Sequence, residues 1–253
     1  MAEEKNKKSI IASVDSDDEY SGEGDGSDSE HAGLISLLVK LSLAAKKKLL
    51  VLSLSGLLLL RVHKKDMRKK TKNRSPDASC GPNLVYKRPY AEEFIKFCLE
   101  RFDVGIWSSA CENNVDMVLS IVLEDLEDKL LFVWVRVDLL IIWPKKPMFF
   151  NDLSKVFQCF SDFSASNTIF IDDEPYKALL NPDNTGLFPV SYDASNKNDN
   201  LLDPEGEFCS YLDGLAKSSD VQAYIKEHSF GQPKIDSSHP DWSFYRNVSK
   251  IAS

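Results

Sequence analysis

The sequence predicts an α/β domain built on a central, mostly parallel sheet. Two observations carry this: short, uninterrupted apolar runs alternate with amphipathic helical stretches, and the runs end in hydroxyls or carboxylates. Parallel strands are covered on both faces, so they read as continuous apolar runs, and open parallel sheets place their sites at the carboxyl ends of the strands. A chain of 253 residues with 43% hydrophobic content can bury a sizeable core.

In order along the chain, strands are expected near 48–54, 103–107, 130–135 and 168–172, with a short one near 187–190. Helices are expected near 90–101, 112–127, 152–160, 174–180, 205–216 and 219–228. The first strand is Leu49-Leu50-Val51-Leu52, running into Ser53-Leu54-Ser55-Gly56. By itself that turn suits a structural corner as well as a functional loop. Asp173-Glu174-Pro175 opens a helix, with acid at the positive end of the dipole and Pro in the first turn. Within Trp134–Trp143, Val135, Val137, Leu139 and Ile141 alternate, which suits one β-strand packed on the core.

The first thirty residues are a different material, with ten acids against three lysines, so most of the net charge of −8 belongs to them. Residues 1–32 are therefore expected to be a disordered acidic tail, 33–230 the folded domain and 231–253 a C-terminal extension. Ser16-Asp17-Asp18-Glu19 and Ser27-Asp28-Ser29-Glu30 suit acid-directed kinases. An acidic start argues against an organellar transit peptide, and Leu49–Leu60 falls short of the roughly 20 apolar residues that span a bilayer. No membrane association is expected.

Residues 61–80 read as a long basic loop carrying Arg61, Lys64, Lys65, Arg68, Lys69, Lys70, Lys72 and Arg74. A solvated surface, a nuclear import signal and a phosphate-attracting patch all fit it. No aromatics interleave with these charges, so direct nucleic-acid binding is not expected. Cys80, Cys98, Cys111, Cys159 and Cys209 are odd in number and contain no Cys-x-x-Cys pair, which suits a reducing compartment rather than a disulfide or zinc framework. Nothing in the pattern sets an oligomeric state.

Four stretches form an ordered set: Ser53-Leu54-Ser55-Gly56, Val85-Tyr86-Lys87-Arg88-Pro89-Tyr90, Asp103–Ser109 and Thr168–Pro175. Over roughly residues 47–228 the chain resembles the small C-terminal-domain phosphatases of RNA polymerase II. These form the NLI-interacting-factor-like branch of the haloacid dehalogenase superfamily, and the plant members look closest. The resemblance implies a three-layer sandwich with a small β cap, here altered and expected at 134–147.

It also implies a mechanism. Family members carry Asp-x-Asp-Gly after the first strand, the first Asp attacking phosphorus and the second protonating the leaving oxygen and then activating water. Ser53 and Ser55 occupy those places. The family's Lys-Asp-Leu, whose Lys offsets phosphoryl charge, is Asn151-Asp152-Leu153, leaving Lys146 or Lys155 to reach in from elsewhere. What the resemblance leaves is Ser108 and Ser109 as phosphate-binding hydroxyls, with Asp173 as direct ligand and Asp172 as support for a weakly held Mg²⁺.

The expected function is a catalytically inactive protein-serine/threonine phosphatase homologue, nuclear or nucleocytoplasmic, that binds or regulates and docks phosphoserine or phosphothreonine segments. Two alternatives stay open. One is an active magnesium-dependent phosphatase. The other is a relative of the presequence-translocase receptor of the mitochondrial inner membrane.

Overall fold

A computed structural model describes residues 46–66, 74–108, 115–135, 139–142 and 147–252. The tail 1–32, the apolar stretch 33–45, Ser109, Cys111, Lys146 and residues 67–73 of the basic run lie outside the described residues.

β1 (Lys48–Leu52) is the centre of a five-stranded sheet. It pairs in parallel with β5 (Phe102–Ser108) on one side and β9 (Thr168–Ile171) on the other. β6 (Phe132–Val135) extends the sheet beyond β5, and β10 (Gly186–Leu187) beyond β9, both in parallel. The alternation along β1 explains why its run is apolar throughout. Leu50 and Leu52 enter one core cluster, while Leu49 and Val51 enter a second on the opposite face.

The first face carries α1 (Ala91–Arg101), α2 (Val115–Leu123), α4 (Glu207–Lys217) and α5 (Val221–Glu227), which bury residues such as Phe94, Val122, Phe208 and Val221. The second carries α3 (Ser154–Cys159), through Val156 and the preceding Leu153. Helices on both faces of a parallel sheet make the three layers expected. The lysines at the start of β1 cap helices: Lys47 Nζ donates to the Leu99 carbonyl at 2.7 Å in α1, and Lys48 Nζ to those of Ala216 and Ser218 at 2.8 and 2.6 Å at the end of α4. Both satisfy carbonyls that a helix C-terminus leaves without partners.

Four features differ from the sequence expectation. The stretch read as a long basic loop over 61–80 contains strands. β2 (Leu59–His63), β3 (Ala78–Cys80) and β4 (Asn83–Lys87) form an antiparallel sheet in the order β2-β4-β3. Both faces are partly buried: Leu59, Val85 and Cys80 join the main core on the face where Arg61, His63 and Lys87 interrupt the pattern, and Val62, Leu84 and Tyr86 bury the other with Tyr192. Gly81, at φ 56°, begins the two-residue turn from β3 to β4.

The single strand expected across Trp134–Trp143 is divided. Trp134 and Val135 finish β6, while β7 (Leu139–Ile142) pairs antiparallel with β8 (Pro147–Phe150). The helix expected at 174–180 is a 3-10 turn, Pro175–Ala178, with Pro182 closing off any longer helix. Finally, the chain beyond 230 is packed into the domain. Gly231 bridges to Phe188, and α6 (Trp242–Ala252) buries Tyr245 and Val248 against Met148 and Phe150.

No described helix is long and apolar enough to cross a membrane.

Candidate functional site at the strand ends

Register places the chemistry-bearing residues at one edge of the sheet. Leu52 pairs with both Ile106 and Ile171, so Ser53, Ser108 and Asp172 leave the carboxyl ends of three adjacent strands. The Ser53 amide donates to the Ile171 carbonyl at 3.0 Å, which locks the loop after β1 onto the end of β9.

That loop is tight. Leu58 and Leu59 donate to the Leu54 carbonyl at 2.9 and 3.2 Å, and Gly56 turns with φ 84°. A Cβ on Gly56 would lie 2.0–2.3 Å from the Asp173 carboxylate, so the glycine serves both the left-handed turn and the close approach of that acid. Ser55 precedes that glycine, and its hydroxyl accepts from Arg61 Nε at 2.9 Å. Arg61, read from sequence as part of a basic loop, is a β2 residue engaged with the site.

Ser53 is 3% exposed and its hydroxyl has no protein hydrogen-bond partner. His63, the nearest histidine in sequence, does not serve it: it is exposed at the end of β2, where its Nδ1 accepts from the Lys65 amide at 3.2 Å. Ser108 is equally buried at the end of β5. Asn151 follows β8; its amide donates to the Lys177 carbonyl at 2.9 Å, and its side-chain Oδ1 is buried without a protein partner. Asp173 Oδ1 is in the same condition. Each such atom costs about 1–3 kcal/mol unless something pairs with it, which is tolerated where a site faces a ligand.

Sequence reasoning missed Lys177. It is almost fully buried, and its Nζ lies 2.9 and 3.0 Å from the two oxygens of Asp172 and 3.0 Å from Glu174 Oε2. Asp172 also accepts from the Glu174 amide at 2.9 Å. Burial pushes the Asp172 carboxyl up to about 7 against the pull of Lys177. Burial pulls the Lys177 ammonium down, but Asp172, Glu174 and Asp173 outweigh it and hold the lysine above its ordinary value. The pair is an ammonium locked among carboxylates. The available signal was the spacing: in a 3-10 turn a Lys three residues after Glu174 falls on the same face and folds back toward the strand end.

Asp172, Asp173 and Glu174 form the one cluster among the described residues with three carboxylates close enough to surround a metal, their oxygens lying within 4.8 Å of one another. Mg²⁺ asks for near-octahedral oxygen ligands, usually one or two carboxylates with phosphate and water. The donor set does not meet that demand. Both Asp172 oxygens and one from Glu174 hold the lysine, and Ser53, at the end of β1, brings a neutral hydroxyl. Asp173 alone of the three acids has no contact with the ammonium among those to Asp172 and Glu174.

The chain is similar to several known proteins. An uncharacterized FCP1 homology domain-containing protein of Schizosaccharomyces pombe is 26% identical over 198 residues, covering 73% of this chain and 78% of that protein. Among solved structures, the RNA polymerase II CTD phosphatase Fcp1 aligns over 86% of this chain and 65% of its own, at 15% identity and a TM-score of 0.40. The fission yeast Fcp1 bound to beryllium fluoride aligns over 86% and 66%, at 14% identity and a TM-score of 0.39. The chain thus spans just under two thirds of those solved proteins. The family model for NLI interacting factor-like phosphatase matches residues 48–222, from the first residue of β1 to the start of α5, and by that match the chain belongs to the NLI interacting factor-like phosphatase family.

Proposed function

We propose that this chain is a catalytically inactive homologue of the protein-serine/threonine phosphatases that works as a binding or regulatory protein. The observation that carries the reading is Ser53. It stands where the family's resemblance puts an anionic nucleophile, and it is a buried neutral hydroxyl that hydrogen-bonds to no described protein group. A hydroxyl of that kind attacks phosphorus only when something removes its proton.

Two further groups argue the same way. Ser55, in the place of the general acid, titrates nowhere near neutrality and is hydrogen-bonded to Arg61. Asn151, in the place of the charge-neutralising lysine, can hydrogen-bond a phosphoryl oxygen but cannot offset its charge. What these groups retain is the ability to hold. Ser53 and Asn151 present buried polar atoms without protein partners at the strand ends, and Ser108 adds a third hydroxyl or amide to that edge. The binding partner we assign is a phosphoserine or phosphothreonine segment of another protein.

The purified chain is expected to release no phosphate above a buffer blank from an aryl phosphate or a phosphoserine peptide. Loss of a nucleophile costs on the order of 10⁴-fold or more, and groups acting as a unit do not each add a full penalty. Single reversions are therefore expected to fail, and Ser53→Asp with Ser55→Asp and Asn151→Lys is the smallest set that rebuilds all three roles. Metal-dependent hydrolysis by the unaltered chain, lost in Ser53→Ala, would overturn this reading and favour an active phosphatase.

A further inference from the structure

We infer that Lys177 is a built-in replacement for the divalent cation: its ammonium fills the cation position at the strand ends, and the protein keeps its site assembled without metal. The inference rests on the strand-end geometry and stands whether or not the site docks phosphorylated segments.

Charge and donor count carry it. The Asp172–Asp173–Glu174 cluster is the one group of described residues with enough carboxylates close together for a metal. Carboxylates brought this close repel one another, and an acid as buried as Asp172, 1% exposed, persists as an anion only beside a cation. In a metal-dependent site that cation is the metal. Here it is the lysine, which hydrogen-bonds both Asp172 oxygens at 2.9 and 3.0 Å and forms an ion pair with Glu174 Oε2 at 3.0 Å.

The spacing is that of ammonium hydrogen bonds and not of Mg–O contacts, which need roughly 2.0–2.1 Å. An ion entering would have to displace a lysine whose stem is buried in the 3-10 turn. Position matters as well as charge. The Lys177 carbonyl accepts from the Asn151 amide at 2.9 Å, so the same residue ties the end of β8 to the end of β9. Asn151 replaces a lysine on one side of the site, and Lys177 supplies one on the other. Its charge is spent on the protein's own acids rather than on a phosphoryl group.

The test is titration of the full chain with MgCl₂ and, separately, MnCl₂, followed by thermal midpoint and by calorimetric heat. Neither readout depends on phosphatase or phosphopeptide-binding activity. The unaltered chain is expected to show no saturable heat and no shift. Lys177→Met removes the ammonium and keeps the stem; its midpoint without metal should fall by about 5–15 °C, the size of shift expected when one partner leaves a buried pair. Metal at roughly 100 times its Kd should then restore about 5–10 °C. Lys177→Arg, which keeps the charge, should stay indifferent to metal.

Saturable sub-millimolar Mg²⁺ binding by the unaltered chain overturns the inference, and so does a folded Lys177→Met that ignores both metals. If Lys177→Met does not fold, Lys177→Met with Asp172→Asn decides: a folded double variant supports charge compensation as the role of Lys177, and one that also fails to fold overturns it.

Discussion

Gly56 and Asp173 show how closely single residues are fitted at this site. The glycine adopts φ 84° and leaves no room for a Cβ, because the Asp173 carboxylate would stand 2.0–2.3 Å away. Gly56→Ala meets two costs at once. A left-handed alanine costs about 1–2 kcal/mol, and Asp173 must also leave its place. The expected outcome is a midpoint lower by at least about 2–8 °C in a thermal melt. An unchanged midpoint would mean that the loop rearranges freely and that Asp173 is not held where it is seen. At this scale the sequence was partly legible. Ser53, Ser108, Asp172 and Asp173 could be placed because each ends a continuous apolar run, whereas Lys177 could not, since a lysine in a short polar turn ordinarily points to solvent.

Among the elements, the parallel strands were easiest to read and the antiparallel ones hardest, for a physical reason. β1, β5 and β9 are covered on both faces and stay apolar, but β2 and β4 interleave Arg61, His63 and Lys87 with the buried Leu59 and Val85 on one face, which breaks the apolar pattern. The helices were legible from their apolar stripes, and what joins them was not. Arg101 at the end of α1 donates through Nε to Asp213 Oδ1 of α4 at 2.9 Å, and Lys217 donates to the same carboxylate. Hydrogen bonds from Lys217 and then Arg101 hold Asp213 below the usual carboxylate range. A carboxyl depressed in the folded state binds fewer protons there than when unfolded, so its contribution is present above the unfolded value of about 3.9 and is lost as pH falls through the folded value. Asp213→Asn should therefore lower the midpoint slightly at neutral pH, and the gap from the unaltered chain should close below about pH 4. A gap of the same size at pH 3 and pH 7 would assign the effect to packing instead.

For the molecule as a whole, charge is divided unevenly. The net charge is −8, and nearly all of it belongs to the first thirty residues, so the folded unit from Lys47 onward is close to neutral and owes no strong long-range field to its sum. What it has instead is a local concentration of base just after β2. Lys64 and Lys65 are exposed in the short 3-10 turn Lys64–Asp66 and continue in sequence into Arg68, Lys69 and Lys70. Lys64 and Lys65, exposed just beyond the end of β2, are accessible to an import receptor. A fluorescent fusion of the full chain is expected in the nucleus, and neutralising Lys64, Lys65, Arg68, Lys69 and Lys70 together should leave it diffuse or cytoplasmic. Binding of a phosphoserine peptide measured on the purified variant is expected to be unchanged, which separates location from recognition. Exclusion of the unaltered fusion from the nucleus would rule out the import signal, and mitochondrial labelling would turn attention to the translocase-receptor relationship.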